Sequence, residues 1–276
     1  MEGLLDGTYV INMDSDVDRL NEFDDMMLSS NWNYSRFPAI NGKTLFGSWS
    51  DLDSDEYEHM SGLLSFGNKY ISGSSWLSKS EMGCLLSHVS LWNTVATDPS
   101  KNRIAIFEDD ARTHLDGNTI YKLLRDFYSY LSENNISEPD MLYLGKALDD
   151  CINYEKVWGN VYKSRHPICL HSYIITKSGA QKLLSLAPFH LPIDVVPINA
   201  IENNIINVMV FHPSLFFQDV LNNVSNLRKL NGALNHTSEC MVTLQHLSSD
   251  TWNYTFVIII GLISAILLYV FFTKYF

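Results

Sequence analysis

The chain has 276 residues, 46% hydrophobic and 18% charged, with a net charge of -12. That composition belongs to a globular protein with a packed core, and the length suits one large domain. The acidic balance argues against nucleic acid as a partner, because phosphate backbones are bound by clustered Lys and Arg. An anionic substrate would need a metal ion instead. Cys84, Cys151, Cys169 and Cys240 form no C-x-x-C pair, so neither a zinc ribbon nor a thioredoxin-type site is indicated and most of them read as reduced core thiols.

Thr8–Asn12 is a short apolar run ending in polar residues and predicts a first buried strand. A polar helix is expected from Val17 to about Leu28, followed by a strand over Arg36–Gly42 closed by an Asn41-Gly42 turn. Residues 47–75 are rich in Ser, Gly and acids without a sustained period, which predicts a long loop of the kind that can serve as a substrate lid. Within it Asp51, Asp53 and Asp55 have the first spacings of a calcium loop. Glu56 stands where that loop needs Gly, and Gly62 where it needs Glu, so a solvated acidic face is the better reading.

Ser78-Lys-Ser-Glu81 is a capping box, and Met82, Leu85, Leu86, Val89 and Trp92 follow at helical spacing, predicting a helix over Glu81–Val95. Arg103–Phe107 is a buried strand that runs into Glu108-Asp109-Asp110. Ile120, Leu123, Leu124, Phe127, Tyr128 and Leu131 form one stripe of the next helix, and Met141–Gly145 is the strand after it. A further strand over His171–Thr176 leads through Ser178 as N-cap into a helix over Gly179–Leu186, and Val208–Phe211 closes the core. The alternation is that of an α/β domain over residues 1–220, with a mixed, mostly parallel sheet flanked by helices.

Residues 221–253 are Asn-rich and read as a polar stalk, and 254–274 as a transmembrane helix. From Phe256 to Phe272 the chain is uncharged, about 26 Å as a helix, with Trp252, Tyr254, Lys274 and Tyr275 as interfacial anchors. The start of the sequence has neither the basic nor the long apolar region of a signal peptide. The expectation is a single-pass, C-terminally anchored membrane protein with its domain on the cytosolic side. Sequons at Asn33, Asn135, Asn223, Asn235 and Asn253 point the other way but carry little weight in so Asn-rich a chain.

Three acids at the C-terminal end of a buried strand stand where open α/β sheets bind ligands. Mn²⁺ and Mg²⁺ take oxygen ligands, commonly one or two carboxylates plus nucleotide phosphates, which suits Glu108 and Asp110 leaving the strand on the same side. Solvated strand ends are also commonly acidic, so this motif alone is weak.

Several further blocks in order resemble glycosyltransferase family 25, the family of bacterial lipopolysaccharide galactosyltransferases and procollagen galactosyltransferases. Val10-Ile-Asn-Met with Asp18-Arg19 is similar to the family's opening strand and turn, and Phe37-Pro-Ala-Ile-Asn-Gly-Lys43 to its A-x-D/N-G-K segment. Ser80–Trp92, SEMGCLLSHVSLW, resembles the G-E-x-G-C-x-L-S-H-x-x-x-W helix, and Ile106–Ala111 the I-L-E-D-D-A strand end. Asp140–Gly145, Ser172–Ala180, Leu191–Asp194 and Pro213–Gln218 also match. The resemblance covers roughly residues 7–220.

The resemblance implies a GT-A-like fold and inverting transfer of galactose or glucose from UDP-galactose or UDP-glucose to a protein, glycan or lipid-linked acceptor. Carried onto this chain, Asp110 is the first metal ligand for Mn²⁺ or Mg²⁺ and Glu108 the second, while Asp109 would hold ribose or sugar hydroxyls. Asn12 and Arg19 would lie at the donor, Arg19 toward the diphosphate. Glu81 and His88, two turns apart on one helix face, either face the donor or form a structural network. Asp194 is the candidate catalytic base, with helix capping as its alternative. Val195 stands where the family often has a second acid, and Asp14, Ser15 and Asp16 where it often has arginines. Those departures keep open an inactive, membrane-bound interaction protein. Metal-dependent phosphoryl transfer has little support, because the first strand ends Ile11-Asn12 rather than in D-x-D.

Overall fold

The computed structural model describes residues 3–50, 52–219 and 240. Its elements, in chain order, are β1 (Thr8–Asn12), α1 (Val17–Ser29), β2 (Ser35–Pro38), α2 (Gly42–Leu45), α3 (Ser54–Tyr70), α4 (Lys79–Thr97), β3 (Arg103–Glu108), β4 (Ala111–Arg112), α5 (Gly117–Glu133), β5 (Met141–Gly145), β6 (Glu155–Trp158), β7 (Val161–Lys163), β8 (Ser172–Thr176), α6 (Lys177–Leu184), α7 (Val196–Glu202), β9 (Val208–Phe211) and β10 (Phe217–Gln218).

Eight strands form one mixed sheet in the order β2-β1-β3-β8-β5-β9-β7-β6. β1 pairs in parallel with β2 and β3, and β5 with β9, whereas β8 and β7 run against their neighbours. Apart from β7 and β8, then, the strands of this sheet share one direction, as expected. β4 and β10 make a separate two-stranded ribbon beside the end of β3.

The period of two along the strands sorts the core into two layers. Ile104 and Ile106 of β3, Tyr173 and Ile175 of β8, and Met141 and Tyr143 of β5 pack with α4 and α6. Ala105 and Phe107, Ile174, and Leu142 and Leu144 pack on the other face with α1 and α5. Both sheet faces are therefore covered, which is why these strands read as continuous apolar runs.

Four expectations are corrected. Residues 54–70 are helix α3, not loop: Asp53 and Glu56 close a capping box, and Gly67 packs against Leu86. The helix escapes a periodicity search because its exposed face is Ser- and acid-rich, and Asp53 is an N-cap rather than a calcium ligand. Asn41-Gly42 does not close the second strand: β2 ends at Pro38, and Asn41 caps α2 by accepting from Lys43 N and Thr44 N. Cys151 and Cys240 form a disulfide, so only Cys84 and Cys169 are free thiols, and Cys240, within the stretch read as a stalk, is bonded to the domain. Finally, no helix among the described residues is long and apolar enough to cross a membrane. Residues 254–274, on which the transmembrane helix and the single-pass, cytosol-facing arrangement were expected, lie outside the described residues, and the anchor is not carried further.

Candidate active site

β3 ends at Glu108, and Asp109-Asp110 turn the chain into β4. The strand alternation that sends Ile104 and Ile106 toward α4 sends Glu108 there too. Glu108 and Asp110 consequently do not leave one strand side by side, as an i, i+2 spacing alone suggests, because the turn intervenes. The three acids divide between the two faces of the sheet.

On the α1 side, Arg19 pairs with Asp109 and, at 3.1 Å, with Asp110 Oδ2. Asn12, at the end of β1, donates from Nδ2 to Asp109 Oδ2 at 2.7 Å and accepts from Arg36 Nε at 2.8 Å. Arg36 also pairs with Asp14, so it anchors the turn in which the family's extra arginines are missing. Gln218 of β10 donates to Asp110 Oδ2 at 3.1 Å, and Asp219 N to the Asp110 carbonyl at 2.9 Å.

On the α4 side, His88 is fully enclosed, with Nε2 at 3.2 Å from Glu108 Oε1 and Nδ1 at 2.9 Å from the Tyr173 hydroxyl. Trp92 Nε1, which can only donate, gives its proton to the same hydroxyl at 2.8 Å. Tyr173 is then free to donate to Nδ1, which leaves the imidazole proton on Nε2, aimed at Glu108.

Burial and the nearby Asp110 charge hold Glu108 well above the usual carboxylate range, against the opposing pull of Arg19. Burial also lifts Asp109, to about 6, although Arg19 and Asn12 favour its ionised form. Burial lowers His88 to about 4, so it is neutral at physiological pH. One arginine is thus too little charge for three acids, and the turn gains from a further cation. Asp110 Oδ1 fits that need directly, being buried with no hydrogen-bond partner among the described residues.

Asp194 lies in a 3-10 turn, Ile193–Val195, just before α7, whose N-cap is Val195. Ile193 beside it packs in the core layer shared with α4, so this turn lies on the α4 side of the sheet. Glu81 is drawn the other way, its Oε2 accepting from Ser78 N at 2.9 Å to close the capping box of α4. The structure thus brings together Asn12, Arg19, Asp109 and Asp110 on one side and His88 with Glu108 on the other, and leaves Glu81 at a helix end. Arg36, Tyr173 and Gln218 were not anticipated. Gln218 lies in the Pro213–Gln218 block that matched the family, the one sequence signal that pointed to it. Two surface clefts of about 410 and 420 Å³ lie elsewhere, one around Asp140 and Lys182 and the other around Trp32 and Tyr121.

A family model described as glycosyltransferase family 25 (LPS biosynthesis protein) matches residues 6–196. The chain belongs to glycosyltransferase family 25. Among curated relatives of this family 25 domain, the probable inactive glycosyltransferase 25 family member 3 of Rattus norvegicus is 30% identical over 61% of the chain and 29% of its own length. Procollagen galactosyltransferase 2 of Mus musculus and of Homo sapiens are each 27% identical over 68% of the chain and 29% of their own length. The family 25 domain described here therefore spans about 29% of the length of these relatives. The matched span contains α4, the acidic turn and Asp194, but not β10.

Proposed function

We propose that this family 25 domain is a metal-dependent, inverting glycosyltransferase that moves galactose or glucose from a UDP-sugar to a hydroxyl of a protein, glycan or lipid-linked acceptor. The observation that carries the reading is Asp110 Oδ1, a buried carboxylate oxygen without a donor among the described residues, in a turn where Asp109 and Asp110 share one arginine. Asp110 and Glu108 would hold Mn²⁺ or Mg²⁺, since such hard cations need only one or two carboxylates and complete their shells with phosphate oxygens and water. When bound, the cation offsets the charge developing on the departing UDP.

The chain's own residues divide the remaining work. Arg19 is a planar donor already turned toward the acids, suited to exchange part of its pairing for diphosphate oxygens as a donor enters. Asn12, fixed by Arg36, steadies Asp109, which would be left to hold ribose or sugar hydroxyls. The His88–Tyr173–Trp92 chain holds Glu108 in place from the opposite face. Asp194 is the base that takes the acceptor proton. Inversion requires it to work on the side of the sugar away from the leaving group.

A second reading, a catalytically inactive binding protein, is favoured by relatives whose names describe them as inactive and by Val195. A screen of UDP release across nucleotide-sugars, with Mn²⁺ and with EDTA, separates the two. The transferase reading expects release from UDP-galactose or UDP-glucose that EDTA abolishes. Metal-dependent UDP binding without release would favour the inactive protein, and release that is indifferent to EDTA would overturn the metal-dependent mechanism.

A further inference from the structure

We infer that Cys84, His88 and Glu108 form a second cation site, one for a borderline-soft transition metal of the Zn²⁺ class. Their sulfur, nitrogen and oxygen ligand atoms all lie within 4.8 Å of one another. The placement follows from the two elements that carry them. Cys84 and His88 are one turn apart on α4 and share a helix face, and the β3 alternation delivers Glu108 to that same face.

The donor set decides the metal class. Thiolate and imidazole select Zn²⁺ over Mg²⁺ or Mn²⁺, which prefer oxygen throughout, as at Asp110. The His88 ring is also held in orientation, although its Nε2 must lose its proton before it can coordinate. A metal-binding imidazole is usually fixed by a hydrogen bond at its other nitrogen, and Tyr173 provides one at Nδ1 at 2.9 Å, itself held by Trp92 at 2.8 Å. A fourth ligand is available from water, as at other three-ligand zinc sites. Cys151, His212 and Cys240 also converge, but their two sulfurs are bonded to each other and cannot serve as thiolates.

Binding is coupled to proton movement. The Cys84 S–H bond breaks, its proton passes to solvent, and the sulfur electron pair forms the bond to the metal. The Nε2 proton is relocated to Nδ1, which then donates to Tyr173, so that the Nε2 lone pair is free to coordinate. No oxidation state changes. The site is defined by its donor atoms and does not depend on the transferase reading, but it shares Glu108 with the Mn²⁺ or Mg²⁺ of that reading, and the two ions would compete for that carboxylate.

The test uses the full chain with its disulfide intact, loaded with one equivalent of Zn²⁺ and examined by X-ray absorption. One sulfur at about 2.3 Å with nitrogen and oxygen ligands at about 2.0–2.2 Å is expected. A shell of nitrogen and oxygen only would overturn the site, and this readout needs no variant. Co²⁺ substitution then assigns the sulfur: a thiolate-to-cobalt absorption should be present in the unaltered chain and absent in C84S. If it persists undiminished in C84S, the assignment to Cys84 is wrong. Y173F leaves every ligand in place and should weaken Co²⁺ binding by about 10- to 100-fold through loss of imidazole orientation. Unchanged affinity would remove Tyr173 as a positioning residue for this metal.

Discussion

Gly83 and Gly42 meet backbone to backbone: a Cβ added to Gly83 would lie 2.6 Å from Gly42 N and 2.4 Å from the Ile40 carbonyl oxygen. This contact seats α4 on the Ile40–Lys43 segment, and Ser87 reinforces it by accepting from Ile40 N at 2.8 Å. Two blocks of sequence that matched the family are thus one structural joint, and that joint sets the height of His88 beside Glu108.

Gly83→Ala should therefore destabilise the domain, because the neighbours are backbone atoms that cannot rotate away. Overpacking of this kind costs about 1–3 kcal/mol. For a domain of this size each kcal/mol lowers the melting temperature by about 2–4 °C. A thermal melt checks this, and an unchanged midpoint would mean that α4 can shift on its seat.

Asp110→Asn should abolish Mn²⁺-dependent binding of UDP-sugar while leaving the fold intact. The amide keeps the shape but loses the charge that draws a hard cation. Arg19 retains Asp109 as a partner, and Glu108 is relieved of a repelling neighbour, so the melting temperature should hold or rise. Calorimetry with and without Mn²⁺, beside a melt, gives both readouts.

Asp194→Asn should leave UDP-sugar affinity near that of the unaltered chain and lower transfer by about 10²- to 10⁴-fold, the usual contribution of a general base. Binding and turnover measured on the same preparation must separate. Transfer at the original rate would move the search for the base to another group facing the site.

Asp98, at the C-terminal end of α4, accepts from Ser100 Oγ at 2.6 Å and Ser100 N at 2.8 Å and pairs with Lys101. Those hydrogen bonds to Ser100, above all, pull its carboxyl down from 3.8 to about 2. A folded-state value below the unfolded one means that its stabilisation is present above about pH 4 and is lost as the pH falls toward 2. The difference in melting temperature between the unaltered chain and Asp98→Asn should accordingly shrink across that window. A difference independent of pH would show that the carboxylate charge is not its source.

Periodicity and capping chemistry, both local, made most elements legible in advance: β1, α1, α4, β3, α5, β5 and β9 lie close to where the residue pattern put them. α3 was hidden because its one reliable signal, the Asp53–Glu56 capping box, is embedded in a polar stretch without a strong apolar stripe. Motif order and strand ends also singled out Asn12, Arg19, His88, Asp109 and Asp110, and the structure brings the first two against Asp109 or Asp110 and His88 against Glu108. Which acid faces which partner was not. That depends on the turn at Asp109-Asp110 breaking the strand period, and on Arg19 and His88 approaching from opposite faces of the sheet. Contacts across 97 residues, such as Asn12 to Asp109, and the Cys151–Cys240 bond across 89, leave no trace in local pattern. Hydrophobic periodicity specifies which side of an element is buried, whereas only the packing of several elements together decides which polar groups end within hydrogen-bonding distance.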